Sequence, residues 1–319
     1  MYNSLSYKTK QFFWLLIKLS IVIGCFYFIY QKLTTNNELS FPVLIENLTK
    51  NNVFEPKNVF LLLFLSFLNW YLEITKWKKL VSFISAISFK EATKQSLASL
   101  TTSLITPNRI GEYGAKAMYF KKTQRKKIMG LNFVGNFYQM MATITFGSIG
   151  FTFFVFTFKI EIDFIRIFLF LLLGVFIIST LFLGAKHYNY KGFSFEKVRS
   201  FITQIPFKLN VKIGLFSFFR FAIFSHQFYF LIVIFGIQIP YIIAISAIAS
   251  VYFISSIVPM LSLFDVVLKS TVAIWIFSTL KIDVTSILTI TTLMWILNFV
   301  IPAVIGSYFV IIYKPNILK

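Results

Sequence analysis

The chain has 319 residues, of which 57% are hydrophobic and 19% aromatic, and its mean hydropathy is +0.78. A soluble domain averages about 45 to 50% apolar residues and needs a polar exterior, so this composition excludes an ordinary soluble protein and indicates an integral membrane protein. The formal net charge of +20 comes from 31 Lys and Arg residues against 11 Asp and Glu residues.

Six stretches are long and apolar enough to cross a bilayer, which needs roughly 20 mostly apolar residues per helix. In chain order they are Phe12 to Leu33, Val59 to Lys76, Leu131 to Phe158, Phe164 to Ala185, Val211 to Ile237 and Thr285 to Tyr313. The first stretch follows Lys8 and Lys10 and lacks a small-residue cleavage site. We therefore expect a retained helix there and not a signal peptide.

Lys and Arg residues cluster beside alternate ends of these spans, and this pattern predicts orientation because short cytoplasmic loops carry an excess of positive charge. The basic flanks are Lys8, Lys10, Lys76, Lys78, Lys79, Lys90, Lys94, Lys121, Lys122, Arg125, Lys126, Lys127, Lys186, Lys191, Lys197, Arg199, Lys208, Lys212, Lys314 and Lys319. The segments Gln31 to Asn58 and Lys159 to Asp163 are neutral or acidic and suit the outer side. We expect a multi-pass membrane location, both termini in the cytoplasm, and contact of the basic residues with anionic lipids and not with nucleic acid.

A polar stretch, S-L-I-T-P-N-R-I-G-E-Y-G-A-K, interrupts the apolar sequence between Ser103 and Lys116. It lies within Glu91 to Phe120, which has basic runs on both sides and so cannot cross the membrane an odd number of times. Its arms are short, and the first is rich in Ser and Thr, so lipid contact would be costly. We predict a re-entrant hairpin that enters from the cytoplasm, turns at Pro107 to Gly111 and is shielded by neighbouring helices. Glu112 and Lys116 share one face of the returning helix.

A related pattern occurs later, where Ser256 to Pro259 precedes Asp265 and Lys269. The two prolines are 152 residues apart, and the acids Glu112 and Asp265 are 153 residues apart. The same offset relates the second span to the fifth, and these two spans are predicted to run in opposite directions.

The predicted fold class is therefore an all-α polytopic membrane protein with a single transmembrane domain, 1–319. Within it, 59–158 and 211–313 form inverted repeats, each made of a span, a broken re-entrant hairpin and a span, as in secondary transporters. One alternative stays open for the second repeat. Tyr241 to Val258 and Met260 to Leu280 are long and apolar enough to cross fully, which would place Pro259 at the cytoplasmic face.

Three groups of residues resemble the transmembrane flippase region of the lysylphosphatidylglycerol synthase family, including its stand-alone members. They are Asn69-Trp70-x-x-Glu73-x-x-Lys76-Trp77-x-x-Leu80, the segment S-L-I-T-P-N-R-I-G-E with its following basic stretch, and the second Ser-x-x-Pro element with its acid. The resemblance covers nearly the whole chain and implies movement of an aminoacylated phospholipid or a glycolipid between the leaflets of a bacterial inner membrane. The second element, P-M-L-S-L-F-D, departs from the family in lacking its glycines and Glu. No soluble domain follows Lys319, so we expect the aminoacyl-transfer activity of the two-part members to be absent.

Ionisable residues inside the membrane are the candidates for a substrate site, because charge at that depth is costly and usually lines a polar pathway. The candidates are Glu73, Arg109, Glu112, Lys116, Arg220, Asp265 and Lys269, with Pro107, Gly111 and Pro259 at the hairpin turns. Arg109 would hold a phosphate, with Glu112 paired to it or titrating. Arg220 needs a phosphate or a carboxylate partner from Glu73, Glu112 or Asp265. The alternative for Arg109, Glu112 and Lys116 is an ion-pair lock that only keeps the hairpin folded.

Other polar residues have simpler explanations. Lys76 is expected to snorkel to the membrane interface, and His226 to make an interhelical hydrogen bond. A group of polar side chains follows the first hairpin and would either line a cavity or satisfy backbone groups freed near Pro107. Its members are Asn132, Asn136, Tyr138 and Gln139.

Motifs for other chemistry are absent from the sequence. One cysteine, Cys25, and two histidines provide no zinc-site spacing, and no phosphate-binding G-x-x-x-x-G-K-[ST] loop occurs. We therefore predict a lipid transporter that is not an enzyme and uses no metal or cofactor. Its partners are membrane lipids with an anionic head group, with a homodimer left open.

Two alternatives stay open for the function. One is a membrane transferase that acts on a polyprenyl- or phospholipid-linked substrate with Glu112 or Asp265 as base. The other is a non-transporting subunit that anchors a partner through its basic cytoplasmic surface.

Overall fold

The computed structural model describes residues 7–34, 39–104, 106, 110–160, 200–257 and 265–314. These residues form helices and their connections, and none of them is in a β-strand. The earlier helices are α1 (Tyr7–Thr34), α2 (Phe41–Lys50), α3 (Pro56–Val81), α4 (Phe89–Leu104), α5 (Ile110–Met118) and α6 (Arg125–Phe158). The later helices are α7 (Phe207–Ile234), α8 (Tyr241–Ile257), α9 (Asp265–Ser278), α10 (Val284–Trp295) and α11 (Ile301–Ile312), with a π-helical turn (Ile296–Val300) joining the last two.

Within the described residues, five helical segments are long and apolar enough to cross a membrane, which confirms the all-α polytopic prediction. They are Phe12–Gln31, Pro56–Val81, Arg125–Phe158, Phe207–Ile234 and Val284–Ile312. The sixth predicted span, 164–185, lies outside the described residues. Helix α3 is longer than predicted at both ends, because Pro56 is pre-organised for the first turn and Lys78 and Lys79 favour the last.

The outer surface of the bundle is apolar. Phe60, Phe67 and Phe156 are 71%, 63% and 75% exposed, as expected for side chains in contact with lipid. Polar side chains lie inside instead, and Asn69 and Gln227 are both buried. This distribution positions the polar site in the interior of the helix bundle.

The segments on either side of Pro107 form two helices, α4 and α5, that pack against each other. Most of α4 is buried, and several of its hydroxyls find partners within the protein: Ser99 donates to Ser96 O (2.8 Å) and Thr101 to Ala303 O of α11 (2.9 Å). Neighbouring helices thus shield this Ser- and Thr-rich arm, as predicted. Pro107 and Arg109 lie outside the described residues.

The structure differs from the prediction at Gly111, which is helical and lies in the first turn of α5 rather than in the hairpin turn. Its backbone N–H donates to Thr106 Oγ1 (2.9 Å), so Thr106 caps the start of α5. A Cβ atom at Gly111 would lie 2.5 Å from Thr102 O of α4. The glycine is therefore required for the close approach of the two helices and not for a left-handed turn.

The segments around Pro259 form the helices α8 and α9, which also pack against each other. They have 17 and 14 residues, and Pro259 lies outside the described residues. The first helix of each pair packs along part of a membrane span from the other half of the chain: α4 along α11, and α8 along α6. Helices α3 and α7 pack directly against each other and bring the two halves together.

Candidate functional site

A cavity of about 350 Å³ lies where helices α3 to α10 and the π-helical turn meet. It brings together five of the seven predicted substrate residues: Glu73, Glu112, Lys116, Arg220 and Lys269. Arg109 lies outside the described residues, and so does the side chain of Asp265, whose backbone begins α9. Side-chain amides, hydroxyls and aromatic rings complete the lining. The amides include Asn69, Asn136, Gln139 and Asn298; the hydroxyls include Ser96, Ser255 and Thr291; and the rings include Trp70, Tyr252 and Trp295.

Arg220 on α7 forms the link between the two halves of the chain. Its Nη1 donates to Glu73 Oε2 on α3 and to Gln139 Oε1 on α6 (3.1 Å), and its Nε donates to Asn69 Oδ1 (2.9 Å). Three carboxylates were predicted as possible partners of Arg220, and the structure pairs Arg220 with Glu73. One guanidinium group therefore connects α3, α6 and α7 at the wall of the cavity.

The prediction that Lys76 snorkels to the interface is wrong. Lys76 is 1% exposed, and its Nζ lies 2.7 Å from Glu73 Oε2, the same oxygen that accepts from Arg220. Gly135 lets α6 pack closely against α3 beside this lysine, since a Cβ atom there would lie 2.9 Å from Leu80 Cδ1. Burial of this charge requires a nearby carboxylate, so Glu73 balances part of the charge of two cations.

The first hairpin contributes a second buried ion pair, in which Lys116 Nζ lies 2.8 Å from Glu112 Oε1, as the four-residue spacing predicts. The same Nζ donates to Asn132 Oδ1 on α6 (2.7 Å) and lies 4.3 Å from the centre of the Trp77 ring. Trp77 in turn donates to Gln95 Oε1 on α4 (2.8 Å). The pair thus holds α5 against α3 and α6, and it lines the cavity at the same time.

A chain of side-chain amides beside the Arg220 link was missed in the sequence. Gln227 donates to Ser66 Oγ (2.8 Å) and accepts from Asn298 Nδ2 (2.8 Å). Asn298 Oδ1 accepts from Asn69 Nδ2 (2.9 Å), and Asn69 Oδ1 accepts from Arg220. Each amide has its orientation fixed by the next, so the position of Arg220 is tied to the last membrane helix.

The π-helical turn has a cause in the local sequence, a proline four residues after Asn298. Pro302 has no backbone N–H, so the carbonyl of Asn298, four residues earlier, loses its helical donor. Trp70 on α3 supplies the missing hydrogen bond from Nε1 to Asn298 O (3.1 Å). Such turns occur frequently at functional sites, and this one places Asn298 and Phe299 in the cavity wall.

The remaining predicted residues divide between cavity and packing roles. Asn136 and Gln139 line the cavity, whereas Tyr138 packs against an apolar cluster. Lys269 Nζ lies 5.4 Å from the centre of the Phe299 ring. His226 forms the expected interhelical hydrogen bond, between Nε2 and the hydroxyl of Tyr241 on α8 (2.7 Å).

Comparison of the chain with protein-family models, with curated proteins and with solved structures gives no match. The resemblance to the lysylphosphatidylglycerol synthase family therefore stays a prediction from the sequence motifs. The chemistry of the cavity is the basis on which a function can be proposed.

Proposed function

We propose that the protein moves a lipid between the two leaflets of the membrane, with the lipid head group passing through the cavity. The observation that carries the proposal is a cavity lined by five charged side chains inside a bundle whose outer surface is apolar. Charged groups among membrane helices are costly, and they mark the pathways of polar substrates. The acyl chains would stay in the bilayer while the head group crosses.

A correspondence between the halves of the chain supports inverted repeats as the basis of transport. At the contact of α4 with α11, a Cβ atom on Gly306 would lie 2.2 Å from Leu97 O. At the contact of α6 with α8, a Cβ atom on Gly150 would lie 2.7 Å from Ala249 Cβ. Leu97 and Ala249 are 152 residues apart, the same offset that relates the two prolines of the hairpins. Rocking of two such halves would open the cavity to each leaflet in turn.

The Arg220 link suggests how a head group engages the site. A phosphate oxygen can replace Glu73 as the partner of Arg220, because guanidinium binds phosphate and carboxylate with the same fork geometry. Glu73 then keeps its contact with Lys76 and is not left as an unpaired buried charge. Exchange of partners at Arg220 would remove the ion pair between α3 and α7 and couple binding to movement of the halves.

Leaflet exchange of a fluorescent phospholipid in proteoliposomes tests the proposal. Wild-type protein should speed the exchange over protein-free vesicles, and Arg220→Gln should slow it at least tenfold, because the group that holds the phosphate loses its charge. Lys57→Gln is the matched control, since it removes one positive charge from an exposed pair with Glu55 (2.8 Å). Exchange by wild type no faster than in empty vesicles, or by folded Arg220→Gln as fast as by wild type, would overturn the proposal.

The same vesicles separate transport from the transferase alternative. Mass spectrometry of the extracted lipids should show the added species unchanged after exchange. A new lipid species formed only in the presence of the protein would support the transferase instead.

A further inference from the structure

The cavity and the buried residues next to it carry more positive than negative charge. The described bases there are Lys76, Lys116, Arg220 and Lys269, and the described acids are Glu73 and Glu112. In surroundings of low dielectric constant, an anionic head group reduces the excess, whereas a cationic head group increases it.

Two serine hydroxyls at the cavity have no hydrogen-bond partner among the described residues. Ser96 on α4 is 3% exposed and Ser255 on α8 is 7% exposed, and both line the cavity. A buried hydroxyl without a partner lowers stability, and neighbouring serines avoid this cost by donating to a carbonyl of the preceding turn, as Ser99 and Ser103 do. Their hydroxyl oxygens have almost no exposed surface, so a rotation about χ1 would present each of them to a ligand in the cavity that supplies the missing partner.

The remaining lining favours hydroxyl groups on that ligand. The side-chain amides of Asn136 and Gln139 offer both donors and acceptors, and the rings of Trp70 and Trp295 offer flat apolar surfaces. Amides and hydroxyls match a polyol, and aromatic faces pack against its C–H groups. Charge and hydrogen-bonding capacity thus point to the same head group.

We infer that the cavity binds a phospholipid whose anionic head group is a phosphodiester bearing a polyol, such as glycerol or a sugar. Its phosphate lies near Arg220, and its hydroxyls bond to Ser96 on the first hairpin and Ser255 on the second. This inference rests on the proposed function and specifies its substrate. It also excludes the cationic lysyl ester of such a lipid, which belongs to the aminoacylated lipids that the sequence resemblance implies.

Binding to the purified protein in detergent tests this assignment without requiring transport. Tryptophan fluorescence reports on the site, because Trp70 and Trp295 line the cavity. The titrants are four dihexanoyl lipids: phosphatidylglycerol, phosphatidate, phosphatidylcholine and lysylphosphatidylglycerol. We expect phosphatidylglycerol to bind most tightly, phosphatidate next, and the choline and lysyl lipids at least tenfold more weakly than phosphatidylglycerol.

Serine variants test the hydroxyl contacts. Ser96→Ala and Ser255→Ala should each weaken phosphatidylglycerol binding about 2- to 10-fold, as expected for one hydrogen bond, and leave phosphatidate binding unchanged. Ser225→Ala is the matched control, because Ser225 on α7 is also buried, has no hydrogen-bond partner in the described part of the chain and does not line the cavity. Removal of an unpaired hydroxyl should not lower the melting temperature of any of the three.

The outcomes separate this inference from the proposed function. Equal binding of phosphatidylglycerol by wild type and by the Ser96→Ala, Ser255→Ala double variant would overturn the inference, as would equal or tighter binding of the lysyl lipid. Selective binding without leaflet exchange would overturn the proposed function alone. Leaflet exchange without head-group preference would overturn the inference alone.

Discussion

The two predicted hairpins, α4 with α5 and α8 with α9, each pack against a helix from the other half of the chain but differ in chemistry. In the first, α4 buries Gln95 and Thr101, and α5 buries the ion pair of Glu112 with Lys116. In the second, α8 buries mainly alanines, serines and aliphatic residues, and Lys269 on α9 is only half-buried. At the contact with its partner helix each hairpin meets a glycine, Gly306 of α11 or Gly150 of α6, whereas the buried charge of the described residues is concentrated in the first hairpin. Close packing is thus common to the two hairpins, and the placement of charge differs.

The largest difference in stability between changes in the two hairpins is expected when one lysine is removed from each. Lys116→Met leaves Glu112 as a buried carboxylate without its cation, which costs about 3 kcal/mol of stability. Lys269→Met should cost less than half as much, because Lys269 is partly exposed to the cavity. Denaturation of both purified variants in the same detergent measures the difference. Equal losses would contradict the concentration of buried charge in the first hairpin.

Alanine at the glycines of the two helix contacts gives the next largest effect. Gly306→Ala should cost about 2 kcal/mol, because the added Cβ atom meets the fixed carbonyl of Leu97 at 2.2 Å. Gly150→Ala should cost about 1 kcal/mol, since its added atom meets the methyl group of Ala249 at 2.7 Å. Melting temperatures measure both.

A glycine in open space is the control for these two variants. Gly114 in α5 has no atom within 4 Å of an added Cβ, so Gly114→Ala should be neutral or stabilise the helix by up to about 1 kcal/mol. A loss at Gly114 as large as that at Gly306 would show that helix propensity, and not contact, determines the result.

The smallest effect concerns the start of each hairpin. Ser88 N–H donates to Glu91 Oε2 (2.7 Å) and Glu91 N–H donates to Ser88 Oγ (3.2 Å). These two bonds form a capping box at the start of α4. Helix α8 follows Pro240 and has no acid in its first turn. The bonds from Ser88 lower the pKa of Glu91 below its ordinary value of 4.5. Their contribution is therefore present above that pH and is lost as the pH falls through the lowered pKa.

Glu91→Gln tests this cap. It should lower stability at pH 7 by no more than about 0.5 kcal/mol, because the carboxylate is exposed to solvent. The difference in melting temperature between wild type and variant should disappear at acid pH. A difference that is constant from pH 7 to pH 3 would exclude a role for the ionised carboxylate.

The spans and the candidate residues could be predicted from the sequence because both follow from one-dimensional patterns. An apolar run of about 20 residues indicates a membrane helix, and a charge inside such a run indicates a polar interior. The spacing of Glu112 and Lys116 predicted their pairing, because a helix places residues four apart on one face. The number of spans and the inverted repeats stay predictions, since part of the chain lies outside the described residues.

Contacts between distant parts of the chain could not be predicted. Arg220 meets a carboxylate 147 residues away, and the burial of Lys76 depends on which face of α3 packs against α6. Two local signals were nevertheless present in the sequence. Asn298 stands four residues before a proline, which predicts a carbonyl without its helical donor, and Ser88 stands three residues before Glu91, which predicts a helix cap.

Photocrosslinking of a phospholipid in the membrane tests most directly whether a head group enters the cavity. The probe is phosphatidylglycerol with a photoreactive group on its glycerol head, and peptide mass spectrometry locates the attachment. We predict attachment to residues of the cavity wall, such as Trp70, Ser96 and Ser255, that is reduced by an excess of unlabelled phosphatidylglycerol. Attachment confined to the outer apolar surface, at residues such as Phe60 and Phe156, would contradict the account.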